Sequence, residues 1–257
     1  SSDLNMEGPF ISVSKKGAQD ERNIIPCDAA LFREFQEAAR GLIRFIGVAP
    51  ETGLDRTLDF IREVKGEVSV SLAHTNASYT DAKAAFDAGA CHAVHLFNAM
   101  PAFTHREPGV VGAVFDSKHV FAELICDGVH IHPAMVRAAF AMMGAERICL
   151  ISDSMRAAGM PDGSYTLGGL AVNVSGKHAT LAEGGALAGS VTNLADCMRT
   201  AVKEMNIPLE EAIRCATLNP ARALHLEHRY GSIAPGKTGN LVLLNPDLSL
   251  KQVIVNG

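Results

Sequence analysis

The stretch VSVSLAHTNASYTDAKAAFDAGACHAVHLF, Val68 to Phe97, decides the fold class. It opens on a short apolar run from Val68 to Ala73, passes through a helical pattern from Thr80 to Ala88, and returns to an apolar run from Ala93 to Phe97. A strand, a helix and a second strand of these lengths form the crossover unit of a parallel sheet.

The alternation continues on both sides. Further strands are expected at Leu4 to Glu7, Ile43 to Ala49, Val120 to Ile125 and Ile148 to Ser152, each mostly apolar, as strands buried on both faces are. Helices are expected at Asp28 to Arg40, opening at an Asp cap, at Leu54 to Lys65, and at Pro133 to Met143 with Pro in its first turn. The class is α/β. Glu7, Glu51, His74, Asn98, Asp127, His130 and Asp153 fall at or just after strand ends, where a (β/α)8 TIM-type barrel builds its active site. Six units leave two open edges, so two further units are expected upstream of Ser1, before a barrel spanning 1–229 can close. The Gly-rich, β-prone text after Asp153 predicts a hairpin lid near 164–189. Helices are expected at Val191 to Met205 and Leu209 to Ala216, and residues 230–257 alternate as strands of a small β-domain whose N-terminal part is also missing.

Composition excludes whole classes of function. A chain of 257 residues with 47% hydrophobic content buries a sizeable core, which rules out intrinsic disorder. Twenty-three Lys and Arg stand against 28 Asp and Glu, a net charge of -5, so no footprint for nucleic acid or an anionic membrane exists. The six cysteines are scattered singly and read as buried free thiols in a reducing compartment. No apolar run approaches the ~20 residues of a membrane helix. A soluble, cytoplasmic protein is expected.

The strand-end residues carry chemistry. His74 and His95 lie 21 residues apart, one βα unit, so both imidazoles point from adjacent strands into one mouth. With Glu7 they make a catalytic zinc-type ligand set that leaves a position for water. A single His in an apolar strand is usually a hydrogen-bonded core residue, but three such residues ending three strands outweigh that reading. His92, an odd spacing before His95, falls on the opposite face and reads as structural. Asp153 in ISDSM ends the last barrel strand, where a carboxylate takes a proton from water and returns it to a leaving nitrogen; its alternative is a helix cap. His130 in DGVHIHP is favoured over His132 as the group that polarises a carbonyl or holds a hydroxyl, His132 standing where a cap or solvent group belongs. Asn98 and Arg106 flank NAMPAFTHREPG above this mouth; Arg106 suits a phosphate or carboxylate, and a surface ion pair fits it equally well.

In order, EGPF, KKGA, AHTNA, HLFNAM, REPG, DGVH, SDS, LAGS, ATLNPAR and GSIAPGKTGNLVLLNPD resemble the motifs of the N-acetylglucosamine-6-phosphate deacetylases, a family of the amidohydrolase superfamily, over essentially the whole chain. EGPF and HLFNAM are specific to that family, whereas GSIAPGKTGNLVLL marks only the superfamily. The resemblance implies a distorted barrel with a small β-sandwich made from both chain ends, assembled as a homodimer. It implies hydrolysis of the N-acetyl amide of a phosphorylated amino sugar in amino-sugar catabolism. Glu7, His74 and His95 would hold a divalent metal, zinc first, with iron, cobalt or manganese also admitted. Asp153 would be the acid and base, and His130 would contact the substrate. Asn98, Ala99 and Arg106 would bind the sugar phosphate, Arg106 reaching in from the neighbouring subunit; Ala18 and Gln19 would contact the substrate, and Leu187, Ala188 and Gly189 would lie along the sugar from the lid side.

Two features depart from the pattern. Gln19 stands where the family commonly has His, which changes a sugar contact, and the first barrel strand, which in some members carries an HxH-type second metal site, is absent. The rival readings are another amidohydrolase acting on a cyclic amide or N-acyl amino acid, and a non-catalytic truncated fragment that binds sugars.

Overall fold

Each of the six apolar runs becomes a strand of one parallel sheet. The computed structural model describes residues 3–257, so the first two residues of the expected 1–229 unit lie outside the described residues. β1 (Leu4–Phe10), β2 (Ile43–Val48), β3 (Ser69–Leu72), β4 (His92–Ala93), β5 (Phe121–Ile125) and β6 (Ile148–Ile151) are hydrogen-bonded in sequence order. The crossovers carry α1 (Ala29–Ala38), α2 (Leu54–Val64), α3 (Tyr79–Ala88), α4 (Gly109–Asp116) and α5 (Pro133–Met143). This is six strands of the α/β TIM-type architecture.

Side chains alternate across the sheet. Ile46, Leu72, Leu124 and Leu150 face the helices and pack with Phe60 and Phe86 in the main core. Phe45, His92, Glu123 and Cys149 alternate with them and line a separate 190 Å³ cavity. Caps start the helices as their sequences require: the Asp28 carboxylate accepts the Leu31 N–H at 3.0 Å, and His132 Nδ1 accepts the Ala134 N–H at 3.2 Å. α4 escapes a sequence reading because GVVGAVFD is a poor helix former; burial of Gly109 to Val114 overrides propensity.

Two strand boundaries need correction. β4 ends at Ala93, not Phe97, because His95 turns left-handed and its N–H goes to the Glu123 side chain. β1 runs on to Phe10, so Glu7 lies within the strand, where pairing with β2 is interrupted between Met6 and Phe10.

After β6 the expected hairpin is a three-stranded antiparallel sheet, β7 (Gly163–Leu167), β8 (Leu170–Ser175) and β9 (His178–Leu181). Val172, Val174 and Ala179 give it its own small core with Met155, Ala157 and Ala188. Then come α6 (Leu194–Lys203), α7 (Leu209–Ala216) and α8 (Leu218–Ala223), and a two-stranded ribbon, β10 (Leu241–Leu244) with β11 (Leu250–Ile254). All six cysteines are free, five of them buried. Among the described residues no helix is long and apolar enough to cross a membrane.

Candidate active site

Glu7 in β1, His74 beyond β3 and His95 beyond β4 bring one ligand atom each to within 4.8 Å of one another. All three line a cavity of 660 Å³. The imidazoles are fixed from behind: His74 Nδ1 donates to the Lys15 carbonyl at 2.7 Å, and His95 Nδ1 donates to the Asn98 carbonyl at 3.1 Å. Each donation sets the tautomer, which turns both Nε2 atoms inward. The Nε2 atoms lie 3.2 Å apart, His95 Nε2 is 3.1 Å from Glu7 Oε1, and the same oxygen meets His74 Nε2.

Lone pairs converging this closely require something positive among them. The spacing approximates the ~3.3 Å between nitrogens bonded at about 2.0–2.1 Å to a tetrahedral ion, so the donor set fits a catalytic divalent metal. The surrounding walls oppose ionisation of Glu7, but hydrogen bonds and charge from His74 and His95 win and hold its carboxyl well below the usual range. Burial likewise disfavours a charged His95, yet the bond to Glu7 raises it. A bound cation would take the place of that proton.

The backbone is strained where these groups meet. His74, His95 and Asp153 all have left-handed φ, 45°, 35° and 48°. Such a conformation costs an L residue about 1–3 kcal/mol and persists where the surroundings impose it. Gly17 completes the fit: at φ +57° a Cβ would stand 3.0 Å from His74 Cε1. Gly17→Ala should therefore displace the His74 ring, weakening metal binding about tenfold and stability by ~1–2 kcal/mol, as read by chelator competition and thermal unfolding. Unchanged metal affinity would show that the ring tolerates the methyl group.

Asp153 follows β6 and opens to the same cavity. Burial raises its carboxyl above the ordinary range, with His95 partly offsetting this. The cap alternative fails, because no helix follows Asp153. Its carbonyl instead accepts the Ser190 N–H at 2.7 Å, tying the Leu187 to Ser190 segment to the end of β6. His130 also lines the cavity, and Asp127 orients it. Asp127 Oδ2 accepts from His130 Nδ1 at 2.7 Å, while Oδ1 accepts the N–H groups of Val129 and His130 at 2.9 Å. Burial pushes the Asp127 carboxyl up, but these donors bring it below its usual value and leave His130 Nε2 free for a ligand.

Ala18, Gln19, Asn98, Ala99, Leu187 and Gly189 line the cavity. Ala188 does not: its side chain alternates into the β7–β9 core, and its N–H pairs with the Ala179 carbonyl at 3.0 Å. Arg106 does not either, since it is exposed on the loop before α4 and has no ion-pair partner among the described residues. Glu51 stands outside the lining but accepts the Thr75 hydroxyl and the Asn76 N–H, both at 2.5 Å, bracing the turn after His74. Two residues escaped the sequence reading. Lys15 is the one Lys or Arg among the lining residues, and its Nζ donates to the Met100 carbonyl at 3.1 Å. Glu123 accepts the His95 N–H; a carboxylate inside the apolar strand FAELI was the available signal.

A model of the amidohydrolase family matches residues 2–257. N-acetylglucosamine-6-phosphate deacetylase of Bacillus subtilis is 38% identical over 99% of this chain and 64% of its own length. N-acetylgalactosamine-6-phosphate deacetylase of Escherichia coli O157:H7 is also 38% identical, over 98% of this chain and 66% of its own. Among solved structures, a mutant N-acetyl-D-glucosamine-6-phosphate deacetylase of Mycobacterium smegmatis in complex with N-acetyl-D-glucosamine-6-phosphate superposes with a TM-score of 0.94. It is 36% identical, with 99% of this chain and 67% of that one covered. The chain thus spans about two thirds of the length of these relatives.

Proposed function

Since the chain belongs to the amidohydrolase family, we propose that it carries the catalytic site of an enzyme hydrolysing the N-acetyl amide of N-acetylglucosamine 6-phosphate to glucosamine 6-phosphate and acetate. The observation that carries this reading is the convergence of Glu7, His74, His95 and Asp153 in one cavity. Glu7, His74 and His95 would hold a divalent ion, which would supply a nucleophilic water near neutral pH and polarise the acetyl carbonyl. Zinc is our choice for that ion, and the nitrogen and oxygen donors also admit iron, cobalt or manganese.

The chain's own groups do the rest. Asp153 takes the proton of the attacking water and delivers it to the amine as the C–N bond breaks, a dual role supported by its place in the cavity beside Glu7, His74 and His95. His130 Nε2, on a ring held by Asp127, faces the oxygen on which negative charge develops. Gln19 and Ala18 on one side, and Leu187 and Gly189 on the other, clasp the sugar, with the β7–β9 sheet as lid and residues 230–257 as part of a separate β-domain.

The phosphate goes to the corner formed by Lys15, Asn98 and Ala99. Arg106 joins it from the neighbouring subunit of a homodimer, a reading supported by its exposure away from its own cavity. The absence of disulfides among the described residues accords with a cytoplasmic enzyme. Arg106→Ala should raise KM for the 6-phosphate sugar by about one to two decades while kcat changes little. Hydrolysis of the unphosphorylated sugar should be poor in both forms; an equal rise of its KM would remove Arg106 from phosphate recognition.

A second sugar follows from one comparison: a relative as similar as any above is named for the galacto epimer. Acetate release from both epimeric 6-phosphates separates the readings. Preference for the gluco form supports the proposal, and preference for the galacto form replaces it.

A further inference from the structure

We infer that Glu123 is a positioning residue for the metal trio, acting through the backbone of His95, and that His92 is its anchor. The inference rests on the metal reading of Glu7, His74 and His95. Glu123 meets two consecutive backbone groups just past β4: its Oε2 accepts the His95 N–H at 3.2 Å, and its carbonyl accepts the Leu96 N–H at 2.8 Å. Its other carboxylate oxygen, Oε1, accepts from His92 Nε2 at 3.0 Å. One side chain therefore bridges residues 92 and 95, closing the turn that swings His95 to φ 35°.

That turn aims the metal ligand. The last ladder pair between β4 and β5 is Ala93 with Ala122, so beyond it no regular strand pairing holds the chain. Without the bond to Glu123, the His95 N–H would be buried and unpaired in a conformation that an L residue leaves readily. The ring would then lose the orientation that sets Nε2 3.1 Å from Glu7 Oε1.

The pair is an unfavourable way to fill this space, which argues against a purely structural role. His92 and Glu123 are both buried, and the His92 ring lies against Phe45 at 4.7 Å and Phe121 at 6.4 Å between centroids. Bringing a polar pair of this kind out of water carries a desolvation cost, and apolar side chains of similar volume commonly pack such a place as well or better.

The test uses the complete polypeptide with two variants, His92→Phe combined with Glu123→Met, and Glu123→Gln alone. Cobalt(II) is the probe: competition with a chelator reads affinity, and visible absorption reads ligand geometry. The metal-free double variant should remain cooperatively folded, its unfolding temperature lowered only by the lost acceptor of the His95 N–H, yet bind cobalt about 10- to 100-fold more weakly with an altered spectrum. Glu123→Gln keeps an oxygen for the His95 N–H and should lose clearly less. Unchanged affinity and spectrum in the double variant, or a Gln variant as weak as the double, would overturn the inference. Should the double variant not fold, His92→Phe alone decides, since it frees Glu123 from its anchor and should weaken cobalt about fivefold; wild-type affinity there would equally overturn it. Wild-type protein that binds no cobalt would remove the metal reading itself.

Discussion

His74→Ala and His95→Ala, each made in the complete polypeptide, should lower metal affinity by about 10²- to 10³-fold and abolish amide hydrolysis with it. Each substitution takes one imidazole from a three-donor set and leaves Glu7 facing a single ring. The ring that remains keeps its own carbonyl partner, Lys15 or Asn98, so the loss comes from ligand number and not from collapse of the site. Both variants also place Ala at a left-handed position, which adds a stability cost but no new ligand. Metal analysis after dialysis, beside acetate release, checks this. Stoichiometric metal in both variants would remove these imidazoles from the site.

Asp153→Asn should retain most of the metal while kcat falls by ~10²-fold or more. Asn keeps the shape of the side chain and the backbone bond from Ser190, but it neither accepts the proton of water nor returns it to nitrogen. The pH dependence has a definite sign. Burial raises the Asp153 carboxyl in the metal-free protein, whereas a divalent ion bound in the same cavity would oppose that shift. For stability, a carboxyl raised on folding binds its proton more tightly in the native state. Its contribution is greatest at acid pH and is lost as pH climbs through the raised value. At neutral pH the metal-free native protein therefore carries a buried charge that Asn lacks, and Asp153→Asn should unfold no earlier than wild type. Near-normal kcat would refute the proton-transfer role.

The sheet and most of the site were legible because periodicity and spacing report on both. Apolar runs at crossover spacing become β1 to β6, and the polar residues that interrupt them at their ends, His74, Asp153 and the Asp127 and His130 pair, meet at one cavity or brace it. What periodicity does not encode is where a strand stops when a side chain replaces the ladder. β4 loses four expected residues, Val94 to Phe97, because Glu123 takes over the His95 N–H, a contact across 28 residues that no local pattern announces. For the same reason the face argument for His92 rests on a strand that ends before His95; the His92 ring meets Glu123 and stands outside the Glu7, His74 and His95 trio. α4 was hidden by poor helix formers that tertiary burial overrides, and Lys15 by ending a single 3-10 turn, Val13–Lys15, from which its carbonyl and its ammonium reach different partners. Ala188 was carried with its neighbours as one motif, whereas alternation turns it into the β7–β9 core and leaves Leu187 and Gly189 at the cavity.

The most direct test of the central claim is a metal titration of the chelator-stripped complete protein, following acetate release from N-acetylglucosamine 6-phosphate as zinc is returned. Activity should be absent after stripping and rise with occupancy of the Glu7, His74 and His95 site, reaching its plateau when that site is full. Acetate release that survives stripping, or that stays absent with the site full, would contradict a metal-dependent amide hydrolase built on these three residues.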